Sequence, residues 1–393
     1  MLLHSRYLSG SASGENRVVE DELRLLREAG HEVDVWQPSV GTETSGPRLA
    51  TDAVWSRTAT REVKRLVRRR RPDLVHVHSL FPRLSPAVLR AIPHDIPIVM
   101  TLHNFRLMCL PATYLRGGSI CEDCAGRMPW RGIRHACYRG SRAASAALAV
   151  SLTVHRRLDT FSRVSRFLAV SRFVRDKHVE AGLDPNRIVV KANFAWPTDR
   201  RRGPGGPLLF LGRISPEKGL DTVLRALPPT LELVVAGDGS QRASLEQQSR
   251  PGVKFLGEVR ADDVPGLLRS ARALLVPSRW YEGQPRAIVE AFASGVPVLA
   301  SRIGGLPELV GDGINGRLVD PDDVAAWRIA LDSVADDEES LRLGHEAFAT
   351  WERRFTPDVA IEELENVYRD VLAGAQEGNG AGVREQLGRS PAP

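Results

Sequence analysis

The chain has 393 residues, enough for two domains of ordinary size. Hydrophobic content of 42% and charged content of 26% are those of a globular protein with a sizeable core, which excludes a fibrous or wholly disordered chain. The net charge is +6, but only five of the 54 basic residues are lysine, so the balance reflects an arginine-rich composition and argues poorly for nucleic-acid binding; it suits anionic partners, a phosphorylated compound or an anionic membrane face.

The first residues, Met1-Leu2-Leu3-His4, turn polar at once, unlike a secretory leader. The longest apolar stretch, residues 143–154, is too short to span a bilayer. The expectation is a cytoplasmic protein, with at most peripheral contact at the inner membrane face.

In chain order, Leu2–His4 reads as a clipped strand, and SGENRVV opens a helix that runs through Ala29 and stops at Gly30. HEVDVW (31–36) reads as a strand, and Arg61–Arg70 as a basic helix ended by Pro72. DLVHVHSL (73–80) and IPIVMTLHN (96–104) read as buried strands. Residues 105–140, rich in Cys, Gly, Pro and Arg, break the pattern and read as an inserted loop. A helix over 141–160, a strand RFLAVS, a helix ending at Gly182 and a strand RIVVKANF resume the alternation.

The segment WPTDRRRGPGG (196–206) supports neither helix nor strand and reads as a linker. Beyond it PLLFLGRI, LELVVAGDG, VKFLGEV, ALLVPS and VPVLAS supply strands, and SPEKGLDTVLRAL opens a helix. Strands alternating with helices on both sides of one linker imply two α/β domains, each a doubly wound, Rossmann-like parallel sheet. Their expected bounds are 1–195 and 207–355. A closing helix over 356–374 and a disordered tail over 375–393, which lacks apolar periodicity, complete the reading.

The chemistry-bearing residues fall at strand ends. In RWYEGQPRAIVEAFASGVPVLAS (279–301), Glu282 precedes a Gly-Gln-Pro turn and Glu290 lies two turns into the following helix, among Ile288, Val289, Ala291 and Phe292. Ligands of open α/β sheets bind outside the carboxyl ends of the strands, and a helix start offers free N–H groups there. Both carboxylates therefore point toward one crevice. In GRISPEKG, Arg213 and Lys218 stand five apart at a loop leading into a helix, next to Gly212 and Gly219. Two cations so spaced can bracket a diphosphate, the arginine by its planar fork and the lysine as a point charge. His103 ends the MTL strand. His76 and His78 alternate to one side of their strand, a metal-like pattern in isolation, and are read as core and cleft wall. RLVRRRR (65–71) is read as a solvated helix end, and the alanine-rich helix over 141–157 as core packing, with an acceptor-site or membrane face as the alternative. The four cysteines, Cys109-x11-Cys121-x2-Cys124-x12-Cys137, have the ligand count of a closed structural zinc site, and such a site would order an insertion too polar to be held by burial alone.

EGQPRAIVE, with its E-x7-E spacing, resembles the retaining nucleotide-sugar glycosyltransferases of the GT-B fold, family 4. FLGRISPEKGLDTVLRAL resembles that family's phosphate-binding segment, VVAGDGS and VKFLGEV its nucleotide-pocket turns, and SRIGGLPELVGDGINGRLV the block after the E-x7-E helix. In the first half SGENRVV resembles the glycine loop after the first strand and MTLHN the histidine strand end. The likeness runs from about residue 2 to residue 372.

The resemblance implies a final helix that crosses back to the first domain, and roles for the site residues. Arg213 and Lys218, with Gly212, hold the diphosphate and stand in for a metal ion. Glu282, with Gly283, Gln284 and Pro285, contacts the donor sugar, and Glu290 the ribose. The Glu258-Val259 turn contacts the base. His103 stands beside the reaction centre, and the backbone at Gly14 approaches phosphate or acceptor. Gln284 departs from the commoner phenylalanine of that turn, and Ser13 from a glycine. The expected activity is metal-independent transfer of a sugar, with retention, from a nucleotide-diphosphate sugar to a glycan, lipid-linked or natural-product acceptor. A GT-B-fold nucleotide-sugar epimerase and a zinc-stabilised nucleic-acid binder are the alternatives; the E-x7-E and GRxxxxKG segments weigh against the first and the two complete α/β halves against the second.

Overall fold

A computed structural model describes residues 1–6, 14–38 and 47–387. The first sheet is built from β1 (Leu2–His4), β2 (Val35–Trp36), β3 (Val75–Ser79) and β4 (Ile98–Leu102). A small hairpin, β5 (Leu115–Arg116) with β6 (Ser119–Ile120), precedes β7 (Arg166–Ala169) and β8 (Ile188–Val190). The second sheet holds β9 (Leu208–Leu211), β10 (Leu233–Ala236), β11 (Val253–Gly257), β12 (Leu274–Val276), β13 (Val298–Ser301) and β14 (Gly316–Val319). The strand orders are β2-β1-β3-β4-β7-β8 and β11-β10-β9-β12-β13-β14, and within both sheets every pairing is parallel. Strand order reverses beside β1 in the first sheet and beside β9 in the second, so each sheet has a switch point where ligands collect.

Period-two alternation explains why both faces of each sheet are covered. In the second sheet Leu208, Phe210, Leu275 and Leu299 pack on one side, against Leu220, Val223 and Trp327. Leu209, Leu274, Val298 and Ala300 pack on the other, against Ile288, Val289 and Phe292 of the helix Arg286–Ala293. In β3, Val75 and Val77 enter the main core of the first domain, while His76 and His78 face the opposite side, buried all the same.

The helix Pro357–Leu387 lies across the first domain: Leu364, Val367, Tyr368 and Val371 pack on Leu26, Val99 and Leu168. It continues to Leu387, so residues 375–387 are helical where a structureless tail is expected; residues 388–393 lie outside the described residues. The first proline after Pro357 is Pro391, so nothing before it lacks the backbone N–H a helix needs, and the helix continues from the part nucleated by packing.

The stretch 105–140 also differs from a plain loop. It contains the hairpin and a short helix, Trp130–Arg134, and it is pinned by burial, with Phe105, Leu107, Met108, Leu110 and Tyr114 all in the core of the first domain. Apolar side chains spaced through a polar segment anchor it to the core. The strand expected over HEVDVW shortens to its last two residues, and β14, in GRLV, has no counterpart in the sequence reading. SPEKGLDTVLRAL divides at Gly219 into a 3-10 turn, Pro216–Lys218, and a helix, Leu220–Ala226.

Candidate active site

A cleft of about 890 Å³ runs between the two domains. It is lined by every residue singled out for the donor and the chemistry: Gly14, His103, Gly212, Arg213, Lys218, Glu258, Val259, Glu282, Gly283, Gln284, Pro285 and Glu290. Of the glycine loop before Gly14, Ser13 lies outside the described residues.

On the second-domain wall the loop after β9 is set by backbone contacts that exclude side chains. Gly219 has φ +68°, and a Cβ there would stand 2.0 Å from the Pro277 carbonyl oxygen. Only glycine tolerates both. That close approach brings Lys218 beside the loop after β12, where its Nζ donates to Glu282 Oε1 at 2.7 Å. Ser278 Oγ and Trp280 Nε1 donate to the same oxygen, each at 2.7 Å. Glu282 is 8% exposed. Burial opposes its charge, but the Lys218 ammonium and the hydrogen bonds from Lys218, Trp280 and Ser278 outweigh it and hold the carboxyl below its ordinary range. Glu282 is thus an ionised acceptor at neutral pH.

Arg213 donates to Glu217 at 2.8 Å, and both Arg213 and Lys218 approach the Trp280 ring, at 5.9 and 5.1 Å from its centroid. Two cations on one aromatic plate make a positive rim at the carboxyl end of β9. Glu290 is partly buried and accepts from Arg286 at 2.6 Å. Arg286 also pairs with Asp21 of the first helix, Gly14–Glu28, so the E-x7-E helix is tied to the other domain.

Gln284 bridges the domains in the same way. Its side chain exchanges hydrogen bonds with the backbone of Asn193, accepting from the N–H and donating to the carbonyl at 3.3 Å. Gln284 thus lines the cleft and ties the two domains together. Gly283 sits close under the first domain: a Cβ on it would stand 3.7 Å from the His103 carbonyl oxygen and 3.1 Å from Val174. Glu308 adds a further cross-domain contact, accepting from the backbone N–H groups of Arg172 and Phe173 at 2.7 and 2.6 Å, at the start of the helix Arg172–Glu180.

On the first-domain wall His103 is partly buried at the end of β4. Burial, reinforced by His78, pushes its pKa well below the ordinary histidine value, so its ring is neutral. Next to it Asn104 donates to Glu15, and burial raises the Glu15 pKa. Glu15, Asn104, Arg106 and Trp280 line the cleft without having been singled out. Glu15 and Asn104 are direct sequence neighbours of Gly14 and His103, which is the signal that could have found them.

The four cysteines are all free thiols, Cys109 buried and Cys121, Cys124 and Cys137 partly so. Burial raises the thiol pKa of Cys109, Cys124 and Cys137. Among the described residues the group close enough to share an ion is Glu22, His76 and His78. No helix among the described residues is long and apolar enough to cross a membrane.

Two facing parallel-sheet domains, with the reactive side chains at the carboxyl ends of their strands and a long helix crossing back, define a glycosyltransferase of the GT-B architecture. Residues 12–194 match the family described as Glycosyltransferase Family 4, and residues 206–337 match Glycosyl transferases group 1. Glycogen synthase of Mycobacterium tuberculosis is 29% identical over 326 residues, covering 78% of this chain and 70% of that protein. The GDP-mannose-dependent alpha-(1-6)-phosphatidylinositol monomannoside mannosyltransferase of Mycolicibacterium smegmatis is 30% identical over 261 residues, covering 57% and 68%. HepE of Anabaena, solved with UDP and glucose, shares the fold with a TM-score of 0.61 at 19% identity, covering 93% of this chain and 99% of that one. The chain belongs to glycosyltransferase family 4.

Proposed function

We propose that this chain transfers a glycosyl unit from a nucleoside-diphosphate sugar to a hydroxyl of a glycan or lipid-linked acceptor, with retention of configuration and without a metal ion in the reaction. The observation that carries the reading is the Lys218–Glu282 pair, 2.7 Å apart in a cleft that Arg213 and Glu290 also line. The names of the relatives support the donor class, since one is GDP-mannose-dependent and the structural neighbour holds UDP and glucose. They also support the acceptor class, glycogen in one case and a phosphatidylinositol mannoside in another.

Lys218 and Arg213 neutralise the leaving diphosphate, the task a metal ion performs elsewhere. Glu282 orients Lys218 and takes a donor-sugar hydroxyl; Glu290 takes the ribose hydroxyls. The Glu282 charge is already held by three donors on one oxygen, a poor state for a nucleophile. Retention then follows from attack by the acceptor hydroxyl on the face the diphosphate leaves. Cross-domain contacts through Gln284, Arg286 and Glu308 bring the walls together and exclude water.

The test is release of nucleoside diphosphate from a panel of nucleotide sugars. One donor is expected to be turned over by the wild type, unaffected by a chelator, and the Lys218→Ala and Glu282→Ala variants are expected to lose about 10²- to 10³-fold. A folded protein that neither binds nor turns over any nucleotide sugar sinks the reading. The anomeric configuration of the product, read by NMR, decides between retention and inversion.

A further inference from the structure

Behind His103 lies a buried polar cluster that the reaction scheme above leaves unused. Glu22, on the first helix, is 2% exposed. Its Oε1 stands 3.1 Å from His76 Nδ1 and 3.1 Å from His78 Nε2. Its Oε2 accepts from Lys191 Nζ at 3.1 Å, an ammonium only 5% exposed. Both nitrogens of His76 have further partners, Tyr368 of the crossing helix at 2.7 Å and Thr101 at 2.8 Å. His78 Nδ1 lies 3.0 Å from His103 Nε2, with the two rings stacked at 5.2 Å. His4 stands edge-on to His78 at 6.4 Å.

Glu22, His76 and His78 are close enough to share a cation. The Lys191 ammonium already balances the carboxylate, and Tyr368 and Thr101 already engage both His76 nitrogens; Glu22 Oε1 and His78 Nε2, both buried without another hydrogen-bond partner, face each other at 3.1 Å, so the cluster is read as a chain of polar contacts leading to His103. Its direction follows from which groups can donate. Burial opposes the Glu22 charge, but Lys191, His78 and His76 hold the carboxyl well below its ordinary range. Burial puts His78 at about 4 and His103 well below its usual value. At neutral pH the chain is therefore one carboxylate and two neutral rings from Glu22 to the cleft. A carboxylate only accepts. His78 Nε2 is buried with no partner but this oxygen, which is in range though off the ideal line; the proton of His78 accordingly belongs on Nε2. His78 Nδ1 is then a lone pair, and the contact with His103 requires the proton on His103 Nε2. His103 Nδ1 is left as an acceptor on a ring that lines the cleft.

We propose that Glu22, acting through His78, is a positioning residue that sets the tautomer of His103, so that His103 Nδ1 accepts a hydrogen bond from a sugar hydroxyl of the substrate. The second half of this statement rests on the transferase reading; the first half does not. A carboxylate that orients a catalytic imidazole acts by the same physics. Here it acts across one intervening ring. Because Tyr368 engages His76 beside the same carboxylate, the crossing helix holds the chain in place from behind.

The experiment uses the full-length protein with 15N-labelled histidine and long-range proton–nitrogen correlations, His103 being assigned by the signals lost in His103→Gln. The wild type is expected to carry the His103 proton on Nε2. In Glu22→Gln the side-chain amide can donate to His78 Nε2, and the His103 proton is expected to move to Nδ1. The kcat for the donor identified by the panel should fall about tenfold or more while KM stays within about threefold. Glu22→Asp, which remains an acceptor, should keep the wild-type tautomer and recover part of kcat. Glu22→Gln leaves Lys191 buried without its counter-charge, so Glu22→Gln/Lys191→Met, which removes both charges, is measured alongside. A wild-type proton on Nδ1, or a tautomer and kcat unchanged in the folded double variant, overturns the proposal. A wild type that turns over no nucleotide sugar sinks the transferase reading, and with it the substrate hydrogen bond, while the tautomer signal still decides the relay.

Discussion

On the second-domain wall of the cleft, Arg213, Lys218, Glu282 and Glu290 come from two short chain segments, and each lies within a turn or two of the glycine or proline that aims it. On the first-domain wall, His103 depends on His78, Glu22, Lys191 and Tyr368, groups whose sequence positions run from 22 to 368. The second-domain wall is made by turn chemistry, which is local. The first-domain wall is made by packing a helix from each end of the chain over one sheet. Local geometry survives distant substitutions; geometry assembled at long range should not.

The largest expected effect breaks the local wall at its centre. Lys218→Ala and Glu282→Ala should each cost about 10²- to 10³-fold in turnover, and the double variant less than the product of the two, because each single variant already loses the Lys218–Glu282 contact. A fully additive double variant would show that the two groups act apart. Next, Leu364→Ala tests the long-range wall from its far side. Leu364 is fully buried against the first domain, so about 2–5 kcal/mol of stability should be lost in urea denaturation. Turnover should fall as well, since the same helix carries Tyr368. Normal kcat in the folded variant would mean that the crossing helix only stabilises.

The lowered Glu282 pKa carries a sign. Folding depresses it, so its contribution is present above the ordinary carboxylate value and is lost as pH falls through the lowered one. Unfolding free energy should therefore drop as the medium is taken below about pH 4, and Glu282→Gln should flatten that limb. An unchanged limb would assign the acid loss to other carboxylates. Smaller still, Glu308→Ala removes the acceptor of two backbone N–H groups of the other domain and should cost about 1 kcal/mol, with a raised donor KM. At the bottom of the scale, Arg68→Gln on the exposed face of the basic helix Arg57–Arg70 should change stability by less than about 0.5 kcal/mol and leave turnover alone.

Legibility followed the same division. The strands of the second sheet other than β14 were readable from apolar runs bounded by glycine and proline, and the E-x7-E and GRxxxxKG segments located their wall of the cleft. β14 was missed because GRLV is short and half-polar, and it becomes a strand by pairing with β13. The cross-domain contact of Gln284 with Asn193, 91 residues away, was not visible in its turn. Glu22 looked like any helical glutamate, since nothing local distinguishes it from Glu20 or Glu28. His76 and His78 showed their shared face, but not the carboxylate waiting on it.

What the sequence determined by itself is the alternation of strands and helices, the two-domain α/β class and the polarity of each strand-end loop. Those depend on side-chain periodicity and on backbone limits at glycine and proline, which act over a few residues. The tertiary structure alone decided which groups meet across the cleft and behind it: Arg286 with Asp21, Gln284 with Asn193, and Glu22 with His76, His78 and Lys191. A buried charge must find its counter-charge and a buried donor its acceptor, but only the packing of distant elements determines which partner is within reach.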